Sequence, residues 1–96
     1  DIATVAPETW QQDGEFLLDV RDADELEEFG KLPNAVNIPL AQLRDRLGDL
    51  PRDRRIVVYC QKGQRGYLAA CALHGSGFDD VVNLRGGFLQ AKLNGL

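Results

Sequence analysis

The sequence has 96 residues, of which 44% are hydrophobic, enough for one small domain packed around one core. No apolar run approaches the ~20 residues needed to cross a bilayer, and no secretory leader is legible, so no membrane association is expected. The formal net charge of -4 conceals an asymmetry: residues 1–30 hold ten acids and one base, Arg21, while residues 31–96 hold five acids and ten bases. The basic group Arg52, Arg54 and Arg55 lacks the aromatic interleaving of a nucleic-acid binder, and nucleic acid is not an expected partner. Two cysteines do not make a disulfide framework, which favours a reducing, cytoplasmic setting. The first residue is Asp1 rather than Met, which suggests a processed chain or a domain cut from a larger one.

Thr4-Val5 reads as a short first strand. Pro7 to Gln12 suits a helix opening, with proline at an early position and Trp10 as a core or lid aromatic; Asp13-Gly14 is a turn. Phe16 to Val20 is a continuous apolar strand of the kind buried in a parallel sheet. Asp22 and Glu25 form a capping-box pair that opens a helix running to Phe29, with Gly30 as its stop. Arg21 is read either as a local ion pair with Glu25 or as a residue serving the site.

Ala35 to Ile38 is a third strand closed by Pro39. Leu40, Leu43, Leu47 and Leu50 recur at helical spacing, which predicts an amphipathic helix over Leu40–Leu47. Ile56 to Tyr59 is a buried strand. After a polar loop, the chain is helical from about Arg65 to His74, with Leu68, Cys71 and Ala72 expected on its inner face. Cys71 is expected to be a packing residue rather than a resolving thiol, and His74, at the far end of that helix, a poor base for the loop. Val81 to Leu84 is a fifth strand, and Gly86-Gly87 opens a last helix through about Asn94. Strands alternating with helices imply an α/β fold, a five-stranded parallel sheet with helices on both faces. Sites in such sheets lie beyond the carboxyl ends of the strands, where Cys60, Asp19, Arg21 and Arg85 with Gly86 are found.

The stretch Val57 to Gly66 carries the chemistry. A strand ends on Cys60, and Gln61, Lys62, Gly63, Gln64, Arg65 and Gly66 lead into the helix. Strand, tight loop and helix aim backbone N–H groups at one point. The helix N-terminus and the cations Lys62 and Arg65 are expected to favour a thiolate over a thiol, as in an activated nucleophile. The alternative is a small buried hydrophobe at a strand end, a role that does not call for a glycine-rich, cationic loop.

These stretches together resemble a single rhodanese domain over nearly the whole of residues 1–96. Leu17 to Asp22 with Glu25 is similar to the family's first motif, Gly30 to Pro39 to its second, Cys60 to Arg65 to its active loop, and Leu84 to Gly87 to its usual ending. Lys31 replaces the usual histidine and Asn34 the usual glycine of the second motif, which bears on turn geometry there. The run Cys60 to Ala69 is most similar to the rhodanese domain attached to flavin-dependent coenzyme A-disulfide and persulfide reductases, and a covalently linked reductase domain would fit the missing start methionine.

The resemblance implies sulfur transfer. Cys60 would take sulfur from thiosulfate or a thiol persulfide, coenzyme A persulfide among them, and pass it to a thiol or cyanide. The persulfide's terminal sulfur would be held by N–H groups of Gln61 to Gly66 and by Arg65 or Lys62, with Asp19 and Arg21 as possible support. No metal and no cofactor are called for. Two rivals stand. A cysteine phosphatase or arsenate reductase needs Cys-x5-Arg, whereas this loop is Cys-x4-Arg with Gly66 where that arginine would be. A non-catalytic regulatory or protein-interaction module of the same fold would not need Cys60.

Overall fold

The computed structural model describes residues 2–10 and 12–96. Five strands, β1 (Ala3–Val5), β2 (Phe16–Asp19), β3 (Val36–Asn37), β4 (Ile56–Tyr59) and β5 (Val81–Leu84), form one sheet in the order β1-β5-β4-β2-β3, all parallel. The central β4 pairs with β2 in the register Phe16↔Ile56 to Asp19↔Tyr59, and with β5 from Ile56↔Val81 to Val58↔Asn83. Every residue of β4 and β5 is buried, as expected of strands covered on both faces.

Alternation of side chains along the strands divides the core in two. Leu18, Val20, Ile56, Val58 and Cys60 face one way, against Leu43, Leu50 and helix α2 (Gln64–Gly75). Leu17, Val57, Tyr59, Val82 and Leu84 face the other, against Phe88 and Ala91 of helix α3 (Gly87–Leu93), with Trp10 packed partly buried beside them. Helix α1 (Ala23–Phe29) buries no residue in either core and follows the carboxyl end of β2 in the chain. Its start is as read: the Asp22 N–H donates to Glu25 Oε1 at 3.1 Å, and Gly30, at φ 82°, ends the helix.

Four local expectations are corrected. The segment Leu40–Asp49 is a 3-10 helix interrupted at Arg46 rather than an amphipathic α-helix, and only Leu43 within it is buried. The leucine spacing of three, four and three residues would keep one α-helical stripe, but the backbone leaves helical geometry at Arg46, and Pro39 and Gly48 bracket the segment's two halves. Pro7 to Thr9 form a turn, with the Thr9 and Trp10 N–H groups both donating to the Ala6 carbonyl; Gln11 lies outside the described residues.

On α2 the inner face is Gly66, Ala69, Ala70 and Leu73, whereas Leu68 is 59% exposed and Cys71 only half-buried. The spacing i, i+3, i+4, i+7 is kept, but by small residues that let the helix lie close to the sheet. Lastly, Arg21 pairs with Asp19, not with Glu25.

Candidate active site

Cys60 is the first residue beyond β4, 1% exposed, with its side chain in the α2-side core. The chain bends through Gln61 to Gly63, and Gly63, at φ 119°, caps α2. That left-handed cap turns the Gly63 N–H back onto Cys60 Sγ, at 3.1 Å. A backbone donor at the N-terminus of a twelve-residue helix therefore points at the sulfur, which supports negative charge there.

The loop is clamped from below by β5 and α3. The Phe88 N–H donates to the Cys60 carbonyl at 2.8 Å and the Leu89 N–H to the Gln61 carbonyl at 3.1 Å. These are first-turn donors of α3, which have no partner within their own helix. With both carbonyls turned toward α3, the opposite edge of the loop is left to the sulfur. Gly87 makes the approach possible: at φ 62° it stands so close that a Cβ would collide with the Cys60 carbonyl oxygen and lie 2.8 Å from that of Gln61. Asn83 on β5 donates Nδ2 to the Gly63 carbonyl at 3.2 Å, and its Oδ1 lies where a Cβ on Gly66 would be. Gly66 is therefore the position at which α2, β4 and Asn83 meet. Asn83 and Phe88 are not singled out in the sequence, and Gly87 is read there only as a helix start and part of the Leu84–Gly87 motif. A polar residue inside an otherwise apolar strand, followed by Gly-Gly, was the signal available.

Arg21 is fully buried and ties three segments together. It makes a two-pronged contact with Asp19, Nη2 to Oδ2 at 2.7 Å and Nε to Oδ1 at 3.0 Å. Nη2 also donates to the Gly30 carbonyl, and Nη1 to Gln61 Oε1, both at 2.8 Å. Its guanidinium lies over the Phe88 ring at 4.4 Å and near the Tyr59 ring at 5.5 Å. Burial works against its charge, but hydrogen bonds to Asp19 and the nearness of that carboxylate outweigh burial and raise the Arg21 pKa. Asp19 and Arg21 thus reach the loop through the Gln61 side chain and do not line the cavity beside Cys60.

That cavity, of about 220 Å³, is lined by Glu25, Cys60, Gln61, Lys62, Gln64 and Arg65. Arg65, expected as a cation beside the sulfur, lines this cavity as half of an ion pair. Its Nη1 and Nη2 donate to Glu25 Oε1 and Oε2 at 2.6 and 2.7 Å, a fork-to-fork pair. The hydrogen bond from Arg65 is the main cause that holds the Glu25 carboxyl down at about 2, and Glu25 in turn raises the Arg65 pKa. Lys62 is exposed and makes no ion pair with a described residue.

A second hollow of about 530 Å³ adjoins the loop on its other flank, between Tyr67 and Leu68 of α2 and Asn83, Arg85 and Gly86. The basic group seen in the sequence makes local contacts instead of a surface stripe: Arg52 lies over Phe78, Arg54 over Phe16, and Arg55 pairs with Asp80. No helix among the described residues is long and apolar enough to cross a membrane.

The family model for the rhodanese-like domain matches residues 6–93. The chain belongs to the rhodanese family. Among relatives it is 36% identical over 81 residues to a sulfurtransferase of Allochromatium vinosum, covering 84% of this chain and 75% of that one. It is 33% identical over 78 residues to the thiosulfate sulfurtransferase GlpE of Pseudomonas savastanoi pv. phaseolicola, covering 81% and 73%. Among solved structures, the reduced CoADR-RHD of Bacillus anthracis superposes with a TM-score of 0.89 at 38% identity, over 97% of this chain and 17% of that one. An NAD-dependent persulfide reductase from A. fulgidus gives 0.78 at 32%, over 93% and 16%. This rhodanese chain therefore spans about a sixth of each of those two structures.

The second motif's departures from the family pattern now have a structural meaning. Asn34 is the single non-glycine residue at positive φ among those described, at 67°, in the position where the family usually has glycine. Asparagine tolerates this conformation better than other side chains, so the turn keeps its shape. Lys31 donates Nζ to the Ala35 carbonyl at 3.0 Å and closes the same turn.

Proposed function

We propose that this rhodanese domain is a sulfurtransferase in which Cys60 carries a sulfane sulfur as a persulfide. The observation that carries the reading is the Gly63 N–H aimed at Cys60 Sγ at 3.1 Å, at the head of α2 and beside a cavity of about 220 Å³. The Cys60 thiolate attacks the outer sulfur of a donor, thiosulfate or a thiol persulfide; the donor's S–S bond breaks and sulfite or a thiolate leaves with the electron pair. The new terminal sulfur occupies the cavity, where backbone N–H groups of the Gln61–Gly66 loop and the Lys62 ammonium support its charge. A thiol or cyanide then removes it, and Cys60 is regenerated as thiolate. Arg65 takes part as half of an ion pair with Glu25 rather than as a free cation.

The similarity to CoADR-RHD and to the persulfide reductase supports a thiol persulfide, coenzyme A persulfide included, as donor, and a reductase domain as covalent neighbour. A reducing, cytoplasmic compartment suits a free Cys60 thiol.

Intact mass after incubation with thiosulfate or a thiol persulfide tests the reading. A gain of one sulfur, removed by cyanide and absent from Cys60→Ser, is the expected result. A wild type that acquires no sulfur from any donor refutes it in favour of a binding module, and Cys60-dependent hydrolysis of p-nitrophenyl phosphate would favour the phosphatase.

A further inference from the structure

Glu25 borders the same cavity as Cys60, although it comes from a different crossover of the chain. Its carboxylate is fixed at both ends. Oε1 accepts the Asp22 N–H at 3.1 Å, and both oxygens accept from Arg65. A fork-to-fork pair uses the charged edge of the guanidinium, so the Arg65 charge that meets an incoming donor is already matched by a carboxylate. The charged side chains lining the cavity are then Lys62 and Arg65 against Glu25.

We propose that Glu25 is a specificity-determining residue that selects the sulfur donor by charge, disfavouring dianionic thiosulfate and favouring a thiol persulfide that reacts in its protonated, uncharged form. The proposal rests on the sulfurtransferase reading above. With thiosulfate, a thiolate of charge -1 meets a dianion; Cys60 bonds to the outer sulfur, and sulfite departs as a dianion and leaves a persulfide anion. With a protonated thiol persulfide, the same bond exchange gives a protonated Cys60 persulfide and a thiolate, and one negative charge is present throughout. Only the first reaction needs surplus positive charge in the cavity, and Glu25 offsets one of the two cations there.

The test is kcat/KM for thiosulfate and for N-acetylcysteamine persulfide, whose tail is uncharged, with cyanide as acceptor. Glu25→Gln keeps the reach and an acceptor for the Asp22 N–H but removes the charge; Glu25→Asp keeps the charge. In Glu25→Gln the thiosulfate-to-persulfide ratio is expected to rise on the order of tenfold, and the rise to shrink at about 0.5 M salt. Glu25→Asp should stay within about twofold of wild type. A ratio that is unchanged or lower in folded Glu25→Gln, or that rises as much in Glu25→Asp, overturns the proposal. If circular dichroism shows Glu25→Gln unfolded, Glu25→Ala replaces it. If neither folds, the wild type decides: thiosulfate kcat/KM should hold or rise between about 0.02 and about 0.5 M salt, and a fall of about tenfold overturns the proposal. A wild type that takes sulfur from neither donor removes the sulfurtransferase reading itself, an outcome distinct from an active enzyme indifferent to Glu25.

Discussion

Gly87 shows how much of this site depends on single backbone positions. It combines a left-handed φ of 62° with a backbone approach to Cys60 and Gln61 that leaves no room for a Cβ. Gly95 has a comparable φ of 83° but nothing within reach of a Cβ, so the two separate conformational strain from collision. Gly95→Ala should cost about 1 kcal/mol, from φ alone. Gly87→Ala should cost about 2–4 kcal/mol, because the overpacking adds to it and displaces the Cys60 carbonyl from the Phe88 N–H. Chemical denaturation of both variants measures the difference; equal losses would mean that the contact under the loop contributes nothing. The sequence showed Gly86-Gly87 as a helix start but gave no hint of this second duty, because it depends on a carbonyl 27 positions away. The position of Cys60, by contrast, was legible: an apolar run that ends on cysteine and passes into Gln-Lys-Gly-Gln-Arg-Gly reads as a strand end at the head of a loop, and the residue follows β4 directly.

Helix α1 is held to the molecule by its ends and by its ion pair rather than by an apolar face. It buries no residue, yet Glu25 reaches Arg65 on α2, and the Gly30 carbonyl at its far end accepts Arg21 Nη2. Its capping pair was readable because it is local; the partner of Glu25 was not, because Arg65 lies 40 residues on. The same limit explains why Glu25, a neighbour at helical spacing, is the ion-pair partner the sequence offers Arg21 beside its reading as a residue serving the site, when the buried Asp19 carboxylate two residues back gives the better fork. The pair has a pH signature. Glu25 sits at about 2 in the folded protein against an ordinary 4.5, so its contribution is complete above pH 4.5 and is lost as pH falls toward 2. Relative to Glu25→Gln, the wild type should lose about 1–2 kcal/mol of its advantage across that window, a figure reduced from the full linkage because the Arg65 side chain is 37% exposed. Denaturant titrations at pH 6, 4 and 2.5 follow it; parallel curves for the two proteins would contradict the assignment.

For the molecule as a whole, alternating strands and helices were enough to read a parallel sheet, since five apolar runs separated by crossovers admit few other arrangements. The order β1-β5-β4-β2-β3 was not readable, and neither were the small-residue face of α2 or the 3-10 form of Leu40–Asp49, because each is decided by what packs against it. The sheet order has a consequence for synthesis. Within this domain the first strand to be made, β1, pairs only with the last, β5, and β5 also covers one side of β4. A nascent chain halted at residue 80 therefore has β1 without a neighbour and β4 with an open edge, the kind of template that invites association with other chains. It also lacks Asn83, Gly87 and the α3 donors, so the Cys60 loop has no floor on which to take its shape. The Cys60 thiol therefore cannot acquire its setting until β5 and α3 have been made, and a copy halted before them holds a cysteine without the loop geometry that aims the Gly63 N–H at it.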